Sequence, residues 1–171
     1  MKKPFLLIID GMTGAGKTTV AAQISTKIPR VAVIGMDKVK RFISDFERGE
    51  RDNAIAREII FEMTKIYFDH NISVIIDQSF KSDNELKLYE KLAYKYSFNI
   101  YKVQLFTAPQ LAFKRVIDRQ KDWSDKMPKE RIKRNISLFK NREKEGFLII
   151  DTSKISSNEI VGKILKLLKK K

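Results

Sequence analysis

The stretch DGMTGAGKTT, at residues 10–19, constrains the fold of this chain more than any other. Three glycines and a lysine follow the apolar run PFLLII and precede a segment with helical character. Residues 11–18 fit the pattern G-x-x-x-x-G-K-[ST], in the strand-to-helix context that this pattern requires. Glycines let consecutive backbone N–H groups point at phosphate oxygens, where side chains would block the approach. The sequence therefore predicts a phosphate-binding loop (P-loop) that holds a nucleoside triphosphate.

The positions of this loop have separate expected tasks. Lys17, expected to be exposed at the strand edge, would bridge the β- and γ-phosphates, and the Thr18 hydroxyl would bind Mg²⁺. The helix that begins near Lys17 adds the positive end of its dipole. The residues expected to bind ATP here are Gly11, Met12, Thr13, Gly14, Ala15, Gly16, Lys17, Thr18 and Thr19.

A second half of the metal site is expected at Asp77. The apolar run SVIID ends at this carboxylate, as is typical of the residue that holds magnesium through water. The alternative is that Asp77 only caps the loop that follows. The guanine-binding pattern N-K-x-D and an ABC-type signature are both missing from the sequence, which disfavours a GTPase and an ABC protein.

Composition narrows the possible chemistry. The 171 residues suit one domain, spanning 1–171. The absence of cysteine excludes disulfides, thiolate catalysis and cysteine-based zinc sites, and the single His70 excludes histidine-cluster metal sites. The net charge of +14 favours anionic partners, or else reflects a composition bias that leaves a solvated basic surface. The apolar run at residues 5–9 is short for a targeting segment and no run approaches a membrane span, so we expect a cytoplasmic protein without a membrane partner.

Apolar runs and longer amphipathic segments alternate along the chain. The runs at 5–10, 31–35, 73–77, 99–106 and 147–151 are rich in β-branched residues and predict strands. Helices are predicted at 17–28, 37–46, 53–69, 83–96, 109–119, 128–144 and 158–170. This order predicts an α/β fold of the P-loop NTPase class, with a mostly parallel five-stranded sheet sandwiched by helices. Ligands on such sheets bind at the carboxyl ends of the strands.

Beyond the P-loop, the chain resembles the small P-loop kinases. It is most similar to the group that contains polynucleotide 5′-hydroxyl kinases, chloramphenicol phosphotransferase and zeta-toxin-type kinases. The resemblance rests on GMTGAGKTT, then VIGMDKVKR, VIIDQS and FKRVIDRQKDW after the second, third and fourth predicted strands. The first motif is highly specific, and the others gain weight from their order.

The resemblance implies a general base at Asp37 and a helical lid at approximately 115–130 whose Arg115 and Arg119 act on the transferring phosphate. It also implies that the segment DTSK, with Thr152 and Ser153, flanks the adenine. The chemistry of the residues agrees, because a carboxylate at the carboxyl end of a strand can accept the proton of a hydroxyl acceptor. The two arginines are spaced i, i+4 and share one helix face.

Each of these roles has an alternative that the sequence leaves open. Asp37 would serve equally as the N-cap of the predicted helix 37–46. Arg115 and Arg119 would pair with Asp118 and Asp122 on a solvated surface. Trp123, in the lid segment KDWSDK, would either stack on a base or hold the lid in place.

The chain departs from polynucleotide kinases where those enzymes handle the acceptor. Those kinases carry an arginine three residues after the base, where this sequence has Lys40 followed by Arg41. They carry Thr-Asn after the magnesium aspartate, where this sequence has Gln78 and Ser79. We expect these four residues, with Asp37, to bind the acceptor. IIDG before the P-loop is also reminiscent of thymidylate and cytidylate kinases, but the Asp-Arg pair that thymidylate kinases carry after the third strand is missing.

The sequence thus predicts an ATP- and Mg²⁺-dependent phosphotransferase that acts on a hydroxyl acceptor, with a preference for a nucleic-acid 5′ end or a nucleoside-like molecule. The first alternative is a kinase of a small metabolite, nucleotide or antibiotic. The second is a P-loop protein that uses ATP as a switch or an RNA tether with little transfer. The oligomeric state is left open.

Overall fold

The computed structural model describes residues 3–80, 82–121, 126–139 and 145–169. Within these ranges the chain alternates strands and helices, as the sequence predicts. The strands are β1 (Phe5–Gly11), β2 (Val31–Gly35), β3 (Ser73–Asp77), β4 (Asn99–Phe106) and β5 (Leu148–Asp151). The helices are α1 (Lys17–Ser25), α2 (Met36–Lys40), α3 (Glu50–Asp69), α4 (Asp83–Lys95), α5 (Pro109–Arg119), α6 (Lys129–Ser137) and α7 (Ser157–Lys169).

The strands form one parallel sheet in the order β2-β3-β1-β4-β5. The strand that leads into the P-loop is therefore central, and β3 and β4 flank it on either side. All seven residues of β1 are buried, as expected for a sheet that is covered on both faces. This confirms the predicted fold class.

Alternate residues of β1 supply two separate cores. Leu7 and Ile9 pack on the face covered by α1, α5, α6 and α7. Leu6 and Ile8 pack on the opposite face, against α3 and α4. Since both faces are apolar, the carboxyl edge of the sheet is where polar side chains gather.

Besides the helix predicted at 17–28, which ends at Ser25, two predicted helices end well before the sequence-based assignment. The helix predicted at 37–46 ends at Lys40, and turns and bends follow. Asp52 accepts a hydrogen bond from the backbone N–H of Glu47 at 2.5 Å, which holds this segment as a loop ahead of α3. The helix predicted at 128–144 ends at Ser137 within the described residues. Tertiary contacts outweigh helix propensity in the first case.

Candidate active site

The P-loop connects β1 to α1 in a conformation that depends on glycine. Gly11 has φ +137°, and a Cβ there would overlap the carbonyl oxygen of Leu105 on the neighbouring strand. Gly16 has φ +91° and begins α1 as its N-cap, a left-handed conformation that other residues rarely adopt. These backbone requirements explain why glycine stands at both positions.

The side chain of Lys17 is half-buried, not exposed as expected from the sequence. Its Nζ donates hydrogen bonds to the carbonyl oxygens of Gly11 at 2.9 Å and Met12 at 3.0 Å. Burial lowers the pKa of Lys17, and the carboxylates of Asp77 and Asp10 oppose this shift. The ammonium group therefore lies beside the loop whose N–H groups would receive phosphate.

Thr18 and Asp77 lie together at the edge of the sheet. Burial raises the pKa of Asp77, while Lys17 and a hydrogen bond from the Thr18 hydroxyl oppose that rise. A hydroxyl and a carboxylate are hard oxygen donors of the kind that Mg²⁺ takes, usually alongside several waters and the phosphates of a substrate. Among the described residues, no group of three or more acidic or histidine side chains is placed to hold a metal ion.

Asp10, which the sequence reading did not single out, fixes the geometry of this edge. It is fully buried, and its Oδ1 accepts hydrogen bonds from the backbone N–H groups of Gly11 at 2.7 Å and Phe80 at 2.9 Å. Ser79 adds a hydrogen bond from its hydroxyl to the Gly11 carbonyl oxygen at 2.7 Å. The segment after β3 is thereby held against the P-loop.

Asp37 lies in the first turn of α2 and faces the cavity beside the P-loop. Its Oδ1 is 3.2 Å from Nζ of Lys40, which is itself buried and also donates to Asn53 at 3.3 Å. Partial desolvation acts to raise the pKa of Asp37, but the neighbouring cations, Lys40 above all, hold this pKa below its usual range. The N-cap of α2 is Gly35, so the alternative that Asp37 is the N-cap is wrong.

The cavity has a volume of about 370 Å³ and extends from the P-loop past Asp37 to α3 and α6. It brings together most of the residues that the sequence analysis selected. These are Thr13, Gly14, Gly16, Lys17, Thr18, Asp37, Lys40, Arg41, Asp77, Gln78, Ser79 and Arg119.

Other predicted residues lie outside the cavity lining. Met12 and Ala15 are buried in the core on the α1 face, and Thr19 is exposed on α1. Arg115 donates to the Thr152 side chain at 3.1 Å, to the Thr152 carbonyl at 3.1 Å and to the Gly14 carbonyl at 3.4 Å. It thus ties α5 to the P-loop and to the loop after β5, where Ser153 bonds Asp151.

The two lid arginines therefore do not share one location. Arg119 lines the cavity and is close enough to Lys17 to lower the pKa of that lysine. Asp118 pairs with Lys121 at 2.8 Å, and the hydrogen bonds of Arg115 go to Thr152 and Gly14. The expectations for Asp122 and Trp123 lie outside the described residues.

Several residues of the cavity wall were missed by the sequence reading. Arg48 and Arg57 come from the loop before α3 and from α3, where no motif singles them out. Arg131 comes from α6, and the only signal for it was the concentration of basic residues at 114–144. The further polar residues of this wall are Lys38, Asn53, Glu85 and Asn135.

Comparison with known proteins identifies the family of this chain. The sequence from residue 6 to residue 141 matches the family AAA_33, described as an AAA domain. The chain belongs to this family. No curated protein matches the sequence. The matched segment includes the P-loop, Asp37, Asp77 and both lid arginines.

Solved structures with this fold include kinases. A protein from Chloroflexus aurantiacus j-10-fl, provisionally described as a kinase, is similar with a TM-score of 0.76 and 20% identity, over 99% of this chain and 98% of that one. The APS kinase CysC of Mycobacterium tuberculosis, in complex with AMPPNP and APS, has a TM-score of 0.74 and 17% identity, over 99% and 100% of the chains.

A chain of the Pnkp1/Rnl/Hen1 RNA repair complex has a TM-score of 0.69 and 18% identity, over 82% of this chain and 45% of that one. At these identities the likeness establishes the fold, which is that of P-loop kinases. It does not select among the acceptors on which such kinases act. The particular resemblance to polynucleotide kinases and chloramphenicol phosphotransferase stays a prediction.

Within the described residues, no helix combines the length and apolarity that crossing a bilayer requires.

Proposed function

We propose that this protein is an ATP- and Mg²⁺-dependent phosphotransferase that moves the γ-phosphate to a hydroxyl acceptor, with a preference for a nucleic-acid 5′ end or another nucleoside-like molecule. The observation that carries this proposal is that one cavity joins the P-loop, the Thr18–Asp77 pair, Asp37 and Arg119. A protein that used ATP only as a switch would need neither Asp37 nor Arg119 at that place.

In this proposal the P-loop and Lys17 hold the β- and γ-phosphates, and Thr18 and Asp77 are the residues that would hold the magnesium. When bound, the ion would neutralise charge on the phosphates. Arg119 adds positive charge near the γ-phosphate. The loop after β5, with Thr152 and Ser153, is proposed to contact the adenine, and Arg115 fixes that loop relative to the P-loop.

Asp37 is proposed to orient the acceptor hydroxyl and take its proton. A new bond forms between the acceptor oxygen and the γ-phosphorus, while the bond from that phosphorus to the bridging oxygen breaks and leaves ADP. The ion pair with Lys40 keeps the carboxylate ionised, so it is ready to accept the proton. Its lowered pKa weakens it as a base, so Asp37 acts by orienting the hydroxyl as well as by taking its proton.

A second candidate is a kinase of a small metabolite, nucleotide or antibiotic. The volume of the cavity favours it, since about 370 Å³ lies in the range of ordinary small-molecule pockets. Both candidates share the same reaction and the same residues, and differ only in the acceptor.

The experiment that tests the proposal measures ATP consumption and ADP release across acceptor classes. The panel includes oligonucleotides with a free 5′-hydroxyl, the same oligonucleotides already phosphorylated at the 5′ end, nucleosides, sugars and aminoglycoside-like alcohols. We expect turnover that depends on one class of hydroxyl compound. ATP and magnesium binding without acceptor-dependent turnover in any class would favour the switch instead.

A further inference from the structure

The wall of the cavity carries a pair of arginines for which the proposed transfer step has no use. Arg48 and Arg131 both line the cavity, although they lie 83 residues apart in the sequence. The guanidinium of Arg131 donates a hydrogen bond to the carbonyl oxygen of Arg48. This contact joins α6 to the loop before α3 and holds the Arg131 guanidinium beside the backbone of Arg48.

The loop that carries Arg48 is itself held in place. The guanidinium carbon of Arg48 lies 5.3 Å from the centre of the Phe46 ring, and Nζ of Lys40 lies 5.7 Å from the same ring. Asp52 accepts the backbone N–H of Glu47, next to Arg48. Because these contacts already order the loop, little further conformational entropy is lost when a charged ligand binds to the two arginines.

Two further cations lie close to Arg131. Burial lowers the pKa of Arg131, and the two charged groups that lower it further, Arg134 and Arg48, are both cations. Bringing these cations together at a partly desolvated wall has an electrostatic cost, and a bound anion would offset it. Basic side chains also outnumber acidic ones clearly among the described residues that line the cavity.

The arginine pair is near the proposed site of transfer. Arg48 is close enough to Asp37 to lower its pKa, and close enough to Arg131 to act on that pKa as well. Lys17, in turn, is influenced by Asp37 and Arg119. Asp37 is thus close to both Lys17 and Arg48.

A buried side-chain amide in the same cavity wall also indicates a ligand. Gln78 is 3% exposed, and its Nε2 donates to Glu85 at 2.8 Å. Its Oε1 is buried and has no hydrogen-bond donor among the described residues. Leaving a buried acceptor atom without a donor is costly, so an N–H or O–H group of a ligand would stabilise it.

We propose that the acceptor carries an oxyanion, a phosphate group, in addition to its hydroxyl, and that Arg48 and Arg131 bind this phosphate while the hydroxyl meets Asp37. The inference rests on the proposed function, which it makes more specific. Gln78 then accepts a hydrogen bond from a polar group of the same acceptor. The phosphate would come either from a nucleic-acid backbone or from a small phosphorylated metabolite, since the chemistry of recognition is the same.

The test measures binding of inorganic phosphate to the protein by calorimetry after AMPPNP and magnesium have saturated the P-loop. We expect one phosphate to bind to the saturated protein. Arg48→Gln and Arg131→Gln should weaken this binding about 10- to 100-fold, the usual loss when a hydrogen bond to a charged group is removed. Lys133→Gln is the matched control, because Lys133 is exposed on α6 outside the cavity lining, and it should leave the binding unchanged.

The outcomes separate this inference from the proposed function. Failure of AMPPNP to bind contradicts the proposed function and the inference together. Normal AMPPNP binding with no second phosphate, or with equal binding in Arg131→Gln, overturns the inference alone. Weaker AMPPNP binding in Arg131→Gln would mean that this arginine acts on the donor phosphates and would overturn it too. Melting temperatures of each variant show whether the fold is kept, and Arg131→Lys should retain part of the affinity.

Competition identifies the source of the phosphate. A dinucleotide with a 5′-hydroxyl and glycerol 3-phosphate are each added to the protein loaded with AMPPNP and inorganic phosphate. Displacement by the dinucleotide supports a nucleic-acid end, and displacement by glycerol 3-phosphate alone supports a small metabolite. Displacement by neither means that the site holds an adventitious ion only, and overturns the proposal.

Discussion

At the scale of single residues, Lys17 combines two roles that can be measured separately. Its Nζ bonds two P-loop carbonyl oxygens, so Lys17→Ala should lower the free energy of unfolding by about 1–3 kcal/mol, at the usual net contribution of each hydrogen bond. ATP affinity should fall far more, because the charge opposite the β- and γ-phosphates is lost. Calorimetry with ATP and magnesium and a thermal melt measure the two effects. Lys27→Ala, at an exposed lysine, is the control, and unchanged ATP affinity in Lys17→Ala would contradict the P-loop assignment.

The ionisation of Asp37 should determine how turnover depends on pH in acid. Because Lys40 and nearby arginines hold its pKa below the ordinary value of about 3.9, Asp37 stays ionised as the pH falls to that region. The acid limb of turnover that belongs to this group should therefore lie below that of an ordinary aspartate. Lys40→Gln removes the strongest of these cations and should move the limb to higher pH. A pH profile of kcat checks the direction, and an unmoved or lower limb in Lys40→Gln would contradict it.

At the scale of elements, α5 presents its two arginines to different partners. Arg119→Gln should reduce turnover far more than ATP affinity, since an arginine that acts on transition-state charge contributes about 10³–10⁵ in rate. Arg115→Gln should instead lower both the melting temperature and the ATP affinity, because its hydrogen bonds join α5, the P-loop and Thr152. Lys114→Gln, exposed on the same helix, is the control.

Either of two results would contradict this division of roles between Arg119 and Arg115. Wild-type turnover in Arg119→Gln would mean that it lies on the cavity wall without acting on the phosphate. Wild-type stability and ATP affinity in Arg115→Gln would mean that its hydrogen bonds contribute nothing measurable.

The elements also show where sequence reasoning succeeds and where it fails. Four of the five predicted strands begin at the residue found in the structure, because β-branched runs buried on both faces leave a clear pattern. The helix predicted at 37–46 ends early, because the Phe46 ring contacts the cationic groups of Lys40 and Arg48, and Asp52 accepts a hydrogen bond from the backbone of Glu47. These contacts come from side chains whose partners a local pattern does not identify.

The same distinction applies to the site. The P-loop, Asp37 and Asp77 follow strands and carry local motifs, so their positions at one edge of the sheet could be predicted. Arg48 and Arg131 are in contact because the chain crosses from one side of β1 to the other between them. The sequence next to either residue does not indicate this contact. Arg115 and Arg119 share a helix, but of the two the loop after β5 accepts hydrogen bonds from Arg115, through Thr152.

At the scale of the whole molecule, the site depends on the central strand that carries the P-loop. Ile8 is fully buried in the middle of β1, so Ile8→Ala should lower the free energy of unfolding by about 2–5 kcal/mol. For a chain of this size each kcal/mol corresponds to about 2–4 °C in melting temperature. Ile66→Ala is the matched control, because Ile66 is 56% exposed on α3. Chemical denaturation of both variants tests this, and equal losses would contradict the assignment of the core.

The central claim is that the protein transfers phosphate and that Asp37 takes part in that transfer. Its most direct test is the turnover of Asp37→Asn on the acceptor that the screen identifies, beside ATP binding and melting temperature. Asparagine keeps the shape of the side chain, but it removes the carboxylate that accepts the proton. We predict a folded protein that binds ATP and magnesium normally and transfers phosphate about 10²–10⁴-fold more slowly, the usual contribution of a positioned general base. Normal turnover in Asp37→Asn would contradict the account.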